Sequence, residues 1–179
     1  AIVQISGDIN PGNSGGPVVD SSCKVVGVAR SKIDGTQTAF AVTPEAIQGF
    51  LRGRVKGVNF SPITQGPTSV KMGATVEIVD PLGTLRSVSI AWVRSDQVKT
   101  PPKPKADGRW DKVEGMILVN TTISGNEGKA SFDVSRSKTD PMVLAVTFQT
   151  HFVQSDGASF WTEPGPLSVE FTDQPTAAQ

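Results

Sequence analysis

The sequence is poorest in the residues that build covalent and metal chemistry. Only one cysteine, Cys23, and one histidine, His151, occur among its 179 residues. A single thiol forms no intrachain disulfide. Cys23 lies between Ser22 and Lys24 in a turn-like stretch, with no CxxC partner and no histidine near in sequence, so it reads as a turn residue rather than a catalytic thiol. Scattered carboxylates with one histidine and one cysteine give none of the ligand spacings that zinc or calcium sites use, so neither a metal nor a cofactor is expected. An excess of charge of one sign is also missing: 17 basic side chains balance 17 acidic ones. Without a positive field to neutralise phosphates, nucleic acid is not an expected partner. The lysines of 99–105 are separated by prolines and read as a solvated loop. Long apolar runs are absent too. Stretches such as Met142 to Thr147 are strand-sized, far short of the roughly 20 residues a membrane-spanning helix needs. The chain opens on Ala-Ile-Val-Gln-Ile without the basic and apolar regions of a signal peptide. That opening inside a strand-like run is expected of a processed, cleaved or truncated product.

What is present is β-rich and changes texture once. Up to about residue 54, β-branched runs alternate with glycine-rich turns. Pro17 to Asp20 and Lys24 to Ala29 flank the turn Asp20-Ser21-Ser22-Cys23 as a hairpin would, and Ala39 to Val42 forms a further short strand. One helix is predicted. Thr43 is its N-cap and Pro44 its first residue; Ile47, Phe50, Leu51 and Val55 follow at helical spacing, and Gly53 and Gly57 close it.

From residue 58 to 172 the helical period disappears. Strands are predicted over 70–79, 85–93, 113–124, 129–134, 142–153 and 167–171, separated by turn formers such as Asp80-Pro81-Leu82-Gly83 and Gly125-Asn126-Glu127-Gly128. Such spacing suggests a β-sandwich that buries Trp92, immunoglobulin-like in architecture but without the cysteine pair of an antibody domain. His151 alternates with Thr147 and Gln149 onto the polar face of its strand.

The stretch richest in chemical information is Asp8-Ile9-Asn10-Pro11-Gly12-Asn13-Ser14-Gly15-Gly16-Pro17. A serine held between glycines in a tight turn presents its hydroxyl, with backbone N–H groups free to converge on a developing oxyanion. The pattern Gly-x-Ser-x-Gly also fits the nucleophile elbow of α/β-hydrolases, but that elbow runs from a strand into a helix, and here Pro17 and a hairpin follow.

Asn-Pro-Gly-Asn-Ser-Gly-Gly-Pro-Val-Val-Asp, then Lys-Val-Val-Gly-Val-Ala, then Ala-Phe-Ala-Val-Thr-Pro before a helix, resembles the second half of a bacterial trypsin-like serine protease of the HtrA/Deg branch. The resemblance, which covers residues 1–54, implies the second β-barrel of a chymotrypsin-like protease with one C-terminal helix; with the immunoglobulin-like sandwich read from strand spacing, the fold class expected is all-β. The domains expected are 1–56 for the protease half and 57–173 for the sandwich, and the small, polar tail over 174–179 is expected to be disordered. By the resemblance Ser14 is the nucleophile, the amides of Gly12 and Ser14 form the oxyanion hole, and the strand carrying Val28, Ala29 and Arg30 is an edge that pairs with extended substrate. Asp8, six residues before Ser14, would select Arg or Lys at the cleavage site, or else simply form a turn. The partners implied are a peptide or unfolded-protein substrate and the missing N-terminal half of the protease domain, with a homo-oligomer or larger complex left open. The location implied is periplasmic or otherwise extracytoplasmic.

The resemblance stops short of a working site. A triad needs a histidine base and an orienting acid, which this family supplies from its first barrel, and His151 belongs to the sandwich. Two readings follow: the C-terminal portion of a serine endopeptidase, inactive alone, or a non-catalytic binding or structural subunit that keeps the scaffold beside an immunoglobulin-like interaction domain.

Overall fold

The computed structural model describes residues 2–6, 9–100, 102–106, 108–174 and 176–177. The chain is all-β, with several antiparallel sheets and no closed barrel among the described residues. It divides into two compact units, Ala1–Arg52 and Gly53–Gln179.

The first unit is a four-stranded sheet in the order β1-β4-β3-β2, formed by β1 (Ile2–Ser6), β2 (Pro17–Val19), β3 (Val25–Lys32) and β4 (Thr38–Val42). This open sheet corrects the expected second barrel. Asp20 sets the β2–β3 hairpin: its Oδ1 accepts from the amides of Ser22 and Lys24 at 2.8 and 3.0 Å. That turn forces Cys23 to φ 61°, the left-handed region that a residue with a Cβ enters at a cost.

Helix α1 (Pro44–Leu51) begins as its sequence predicts, with Thr43 Oγ1 accepting from the Ala46 amide at 3.4 Å and Pro44 in the first turn. It ends earlier than predicted, at Leu51. Val55 and Gly57 belong instead to a long strand that starts at Arg54. The only buried residues of the described part of this unit are small: Gly27, Ala29, Ala39 and Ala41. Ile2, Val19, Val25 and Phe50 are all more than half exposed. A sheet that buries only alanine and glycine gains little hydrophobic stabilisation.

The second unit holds two sheets. One has the order β14-β5-β6-β10-β9, from β5 (Arg54–Gln65), β6 (Ser69–Val79), β9 (Thr122–Ser124), β10 (Glu127–Ser135) and β14 (Thr176–Ala177). The other has the order β12-β11-β7-β8, from β7 (Leu85–Arg94), β8 (Ile117–Asn120), β11 (Val143–Gln154) and β12 (Ser159–Trp161), with β13 (Gly165–Glu170) also paired to β11. The period of two in β6 sends Val70, Met72, Ala74, Val76 and Ile78 inward. There they share one core with Val88, Ile90 and Trp92 of β7, Phe132 and Val134 of β10, and Leu144, Val146 and Phe152 of β11. Trp92 stacks on Phe132 with ring centres 5.2 Å apart, so the tryptophan expected in a core is there, 8% exposed.

The predicted strand 113–124 is broken in two. Gly115 (φ 80°) turns the chain, β8 follows in one sheet, and the path crosses at Thr121 to β9 in the other. Within the tail expected to be disordered, Thr176 and Ala177 pair with Gln65 and Thr64.

Candidate functional site

Two places in the chain concentrate chemistry, one in each unit. In the first, Gly12 (φ 101°) and Gly15 (φ 85°) bend the loop before β2 through angles that favour glycine. Asn13 N–H donates to the Asn10 carbonyl and Gly16 N–H to the Asn13 carbonyl, each at 3.0 Å. Two further bonds tie the loop to β3, Gly15 N–H to the Ala29 carbonyl and Ala29 N–H to the Gly16 carbonyl, both at 2.9 Å. Ser14 is exposed, and its Oγ donates to the carbonyl of Arg30 over 3.5 Å, the long limit of such a bond. The loop borders an open, mainly apolar depression of about 730 Å³ whose walls include Ile5, Ile9, Val18 and Ala29.

Each residue named from the sequence has a definite position. Gly12 and Ser14 share the loop. Val28 and Ala29 do not form an edge: β3 is interior to its sheet, with β4 on one side and β2 with the glycine loop on the other. The expected pairing of Val28 and Ala29 with a substrate strand is therefore corrected, because both sides of the strand are already bonded there. Arg30 sits at a bulge against β4 and is exposed. Asp8 lies outside the described residues.

In the second unit, the outer face of β11 carries Thr147, Gln149 and His151 together, as their alternation predicts, but it is not a solvated face. The segment between β7 and β8 folds back over it, so that Val113 and Met116 bury Ala91 and Val93 of β7. Gln149 is fully buried beneath this segment. Its Oε1 accepts from the Val113 amide at 2.9 Å, and its Nε2 donates to the carbonyls of Asp111 and Thr162, both at 3.0 Å. Thr147 and Ser95 join their hydroxyls at 2.9 Å.

His151 pairs in register with Trp161 of β12, and the two rings stack with centres 4.4 Å apart. Burial and the nearby Lys112 charge lower its pKa, which favours the neutral imidazole. The lone histidine is thus held within the sandwich as a packing group. Next to it an isolated antiparallel bridge sets Trp110 opposite Trp161. A cavity of about 510 Å³ opens at this corner, lined among others by Trp110, Trp161, Phe160, Lys105 and Asp111. Sequence reading missed this site because Trp110 sits in a Lys/Pro/Gly-rich stretch that has no strand period. Only the register of β12 brings it to Trp161.

No protein-family model matches the chain. Among curated proteins it is 48% identical over 54 residues to the uncharacterized protein y4bJ of Sinorhizobium fredii (strain NBRC 101917 / NGR234), a match covering 28% of this chain and 8% of that protein. The chain therefore spans less than a tenth of the length of the curated relative it matches. Among solved structures it is similar to the crystal structure of BcpA*(D312A), the major pilin subunit of Bacillus cereus, with 14% identity, 88% of this chain and 52% of that chain covered, and a TM-score of 0.35.

These findings correct the expectation drawn from the glycine loop. No protein-family model, a protease model included, matches the chain, so it is not assigned to the trypsin-like, HtrA/Deg-like proteases, and Ser14 is not assigned as an acyl-enzyme nucleophile. Among the described residues no helix is long and apolar enough to cross a membrane.

Proposed function

We propose that this chain is a non-catalytic binding or structural subunit built around an immunoglobulin-like β-sandwich. The observation that carries this reading is where the buried polar side chains of the second unit end. Ser89, Gln149, Thr150 and Gln154 are its buried polar residues among those described. Ser89 Oγ donates to Asn120 Oδ1 of the neighbouring strand at 2.9 Å. Thr150 Oγ1 donates to Thr162 Oγ1 at 3.1 Å, and Gln154 Nε2 to the Gly53 carbonyl at 3.0 Å. With the three bonds of Gln149, each of these groups fastens a loop or strand end to a sheet. Catalytic sites do the opposite and gather polar groups around one reacting atom, with pKa values pushed toward the task. The immunoglobulin-like reading is supported by two antiparallel sheets sharing one core, by Trp92 within it, and by the chain crossing between sheets at Thr121.

The test is incubation of the chain with a reduced, unfolded protein, followed by mass spectrometry of the soluble peptides. Recovery of the intact polypeptide is expected. Peptides released by the parent chain and not by Ser14→Ala would overturn the reading.

A further inference from the structure

We propose that the Trp110–Trp161 corner of the sandwich is a carbohydrate subsite that takes the pyranose rings of a neutral oligosaccharide. The inference rests on the reading of this unit as a binding module and names its ligand.

Side chains opposite each other on neighbouring antiparallel strands project to the same face. The bridge Trp110↔Trp161 and the pair Trp161↔His151 therefore align three aromatic residues across the edge of the sheet, with the rings of Trp161 and His151 stacked. The row is fixed in advance. Trp161 is held by its stack on His151, and β12 is bonded to β11. The loop leading to Trp110 is closed by Lys105 N–H donating to the Arg109 carbonyl at 2.7 Å and by Gly108 N–H donating to the Lys105 carbonyl at 2.9 Å. Gly108 takes φ 78°, which the turn requires. Ordering that precedes binding lowers its entropic cost.

The cavity volume of about 510 Å³ lies within the range of small-molecule sites. Its rim carries a donor and an acceptor side by side: Lys105 Nζ lies 2.7 Å from Asp111 Oδ1, both groups more than half exposed. A pyranose matches this combination. Its C–H face packs on an indole, while adjacent hydroxyls both donate to a carboxylate and accept from an ammonium. A nucleic-acid strand matches it less well, because stacking sites for single strands combine aromatic rings with a basic groove that follows the backbone. Here Lys105 is paired with Asp111 and Arg109 is set over the Phe160 ring; with Arg54 these are the cations that line the cavity, and the whole chain has a formal charge of zero.

The experiment titrates the full chain with cellohexaose and with chitohexaose, each up to millimolar concentration, and follows tryptophan fluorescence and isothermal heat. Saturable binding of at least one hexaose is expected. Trp110→Ala and Trp161→Ala should each weaken it tenfold or more, whereas Trp92→Phe, in the core, should leave the affinity within twofold. Circular dichroism of the two alanine variants checks that the fold is retained, and Asp111→Asn, which keeps every ring, should weaken binding severalfold. Binding of neither hexaose, binding unchanged in both tryptophan variants, or tighter binding of a thymidine dodecamer than of either sugar would each overturn the assignment. None of these outcomes bears on peptide release, so failure here is distinguishable from failure of the non-catalytic reading.

Discussion

Replacing Gln149 with leucine removes one side chain and unfastens one whole segment. The two side chains are similar in volume, so the substitution leaves little cavity and isolates the polar contribution. Three backbone groups lose their partner: the Val113 amide and the carbonyls of Asp111 and Thr162. A buried backbone group left without a bond costs about 1–3 kcal/mol. Asp111 is itself exposed, so its carbonyl can recover water and its share falls at the low end. The expected loss is therefore about 2–4 kcal/mol. The upper side is limited because the 95–116 segment can peel away locally instead of keeping three unsatisfied groups. Urea unfolding at 25 °C, followed by tryptophan fluorescence, reads the change as a lower midpoint at nearly constant slope. Gln149→Glu sharpens the test. A carboxylate facing two carbonyls is repelled, so the folded state raises its pKa, and the stability it loses at neutral pH should be partly recovered as pH falls and the acid protonates. A loss below about 0.5 kcal/mol for Gln149→Leu would refute the claim that this amide fastens the segment.

Two further expectations follow from local geometry. Cys23→Gly should raise stability by up to about 1 kcal/mol, because glycine adopts φ 61° without the Cβ clash that cysteine bears; a loss of thermal midpoint would contradict this. Arg94 grips Asp140 through Nη1 at 2.8 Å, and that hydrogen bond, with one from the Ser137 amide, holds the carboxyl well below the usual carboxylate range. The folded pKa is depressed, so the contribution is full above the unfolded value near 4 and disappears as pH falls below it. The stability difference between the parent chain and Asp140→Asn should accordingly be constant from pH 7 to 5 and shrink between pH 4 and 2.

Much of the sandwich was legible because its inner strands keep a strict period of two. Val70 to Ile78 and Met142 to Val153 announce themselves, and Trp92 lies where a core aromatic belongs. The longest miss was β5. Its alternation is broken by register shifts between Val55 and Gly57 and between Pro62 and Thr64, and Gly57 and Pro62 read as loop formers. Alternation places Thr147, Gln149 and His151 on one face of β11, but the solvated face it predicts is buried: Gln149 looks like a solvent residue until the segment between β7 and β8, which has no periodicity, folds over it. Motif reading misled most in the first unit. Glycines around Ser14 state that the backbone turns sharply, and the structure contains that turn, but sharp turning alone carries no chemistry. The Trp110–Trp161 corner lay beyond sequence reasoning altogether, since about fifty residues separate partners that only strand register joins.

Ser14 is proposed to belong to a turn and not to a reacting site. A fluorophosphonate probe tests it most directly, because such probes bond only to serines activated by a base. Incubated with the folded chain at pH 7.5 and analysed by intact mass, the probe should leave the protein unmodified, with Ser14→Ala indistinguishable from the parent. Stoichiometric labelling that vanishes in Ser14→Ala would instead show Ser14 to be a base-activated nucleophile.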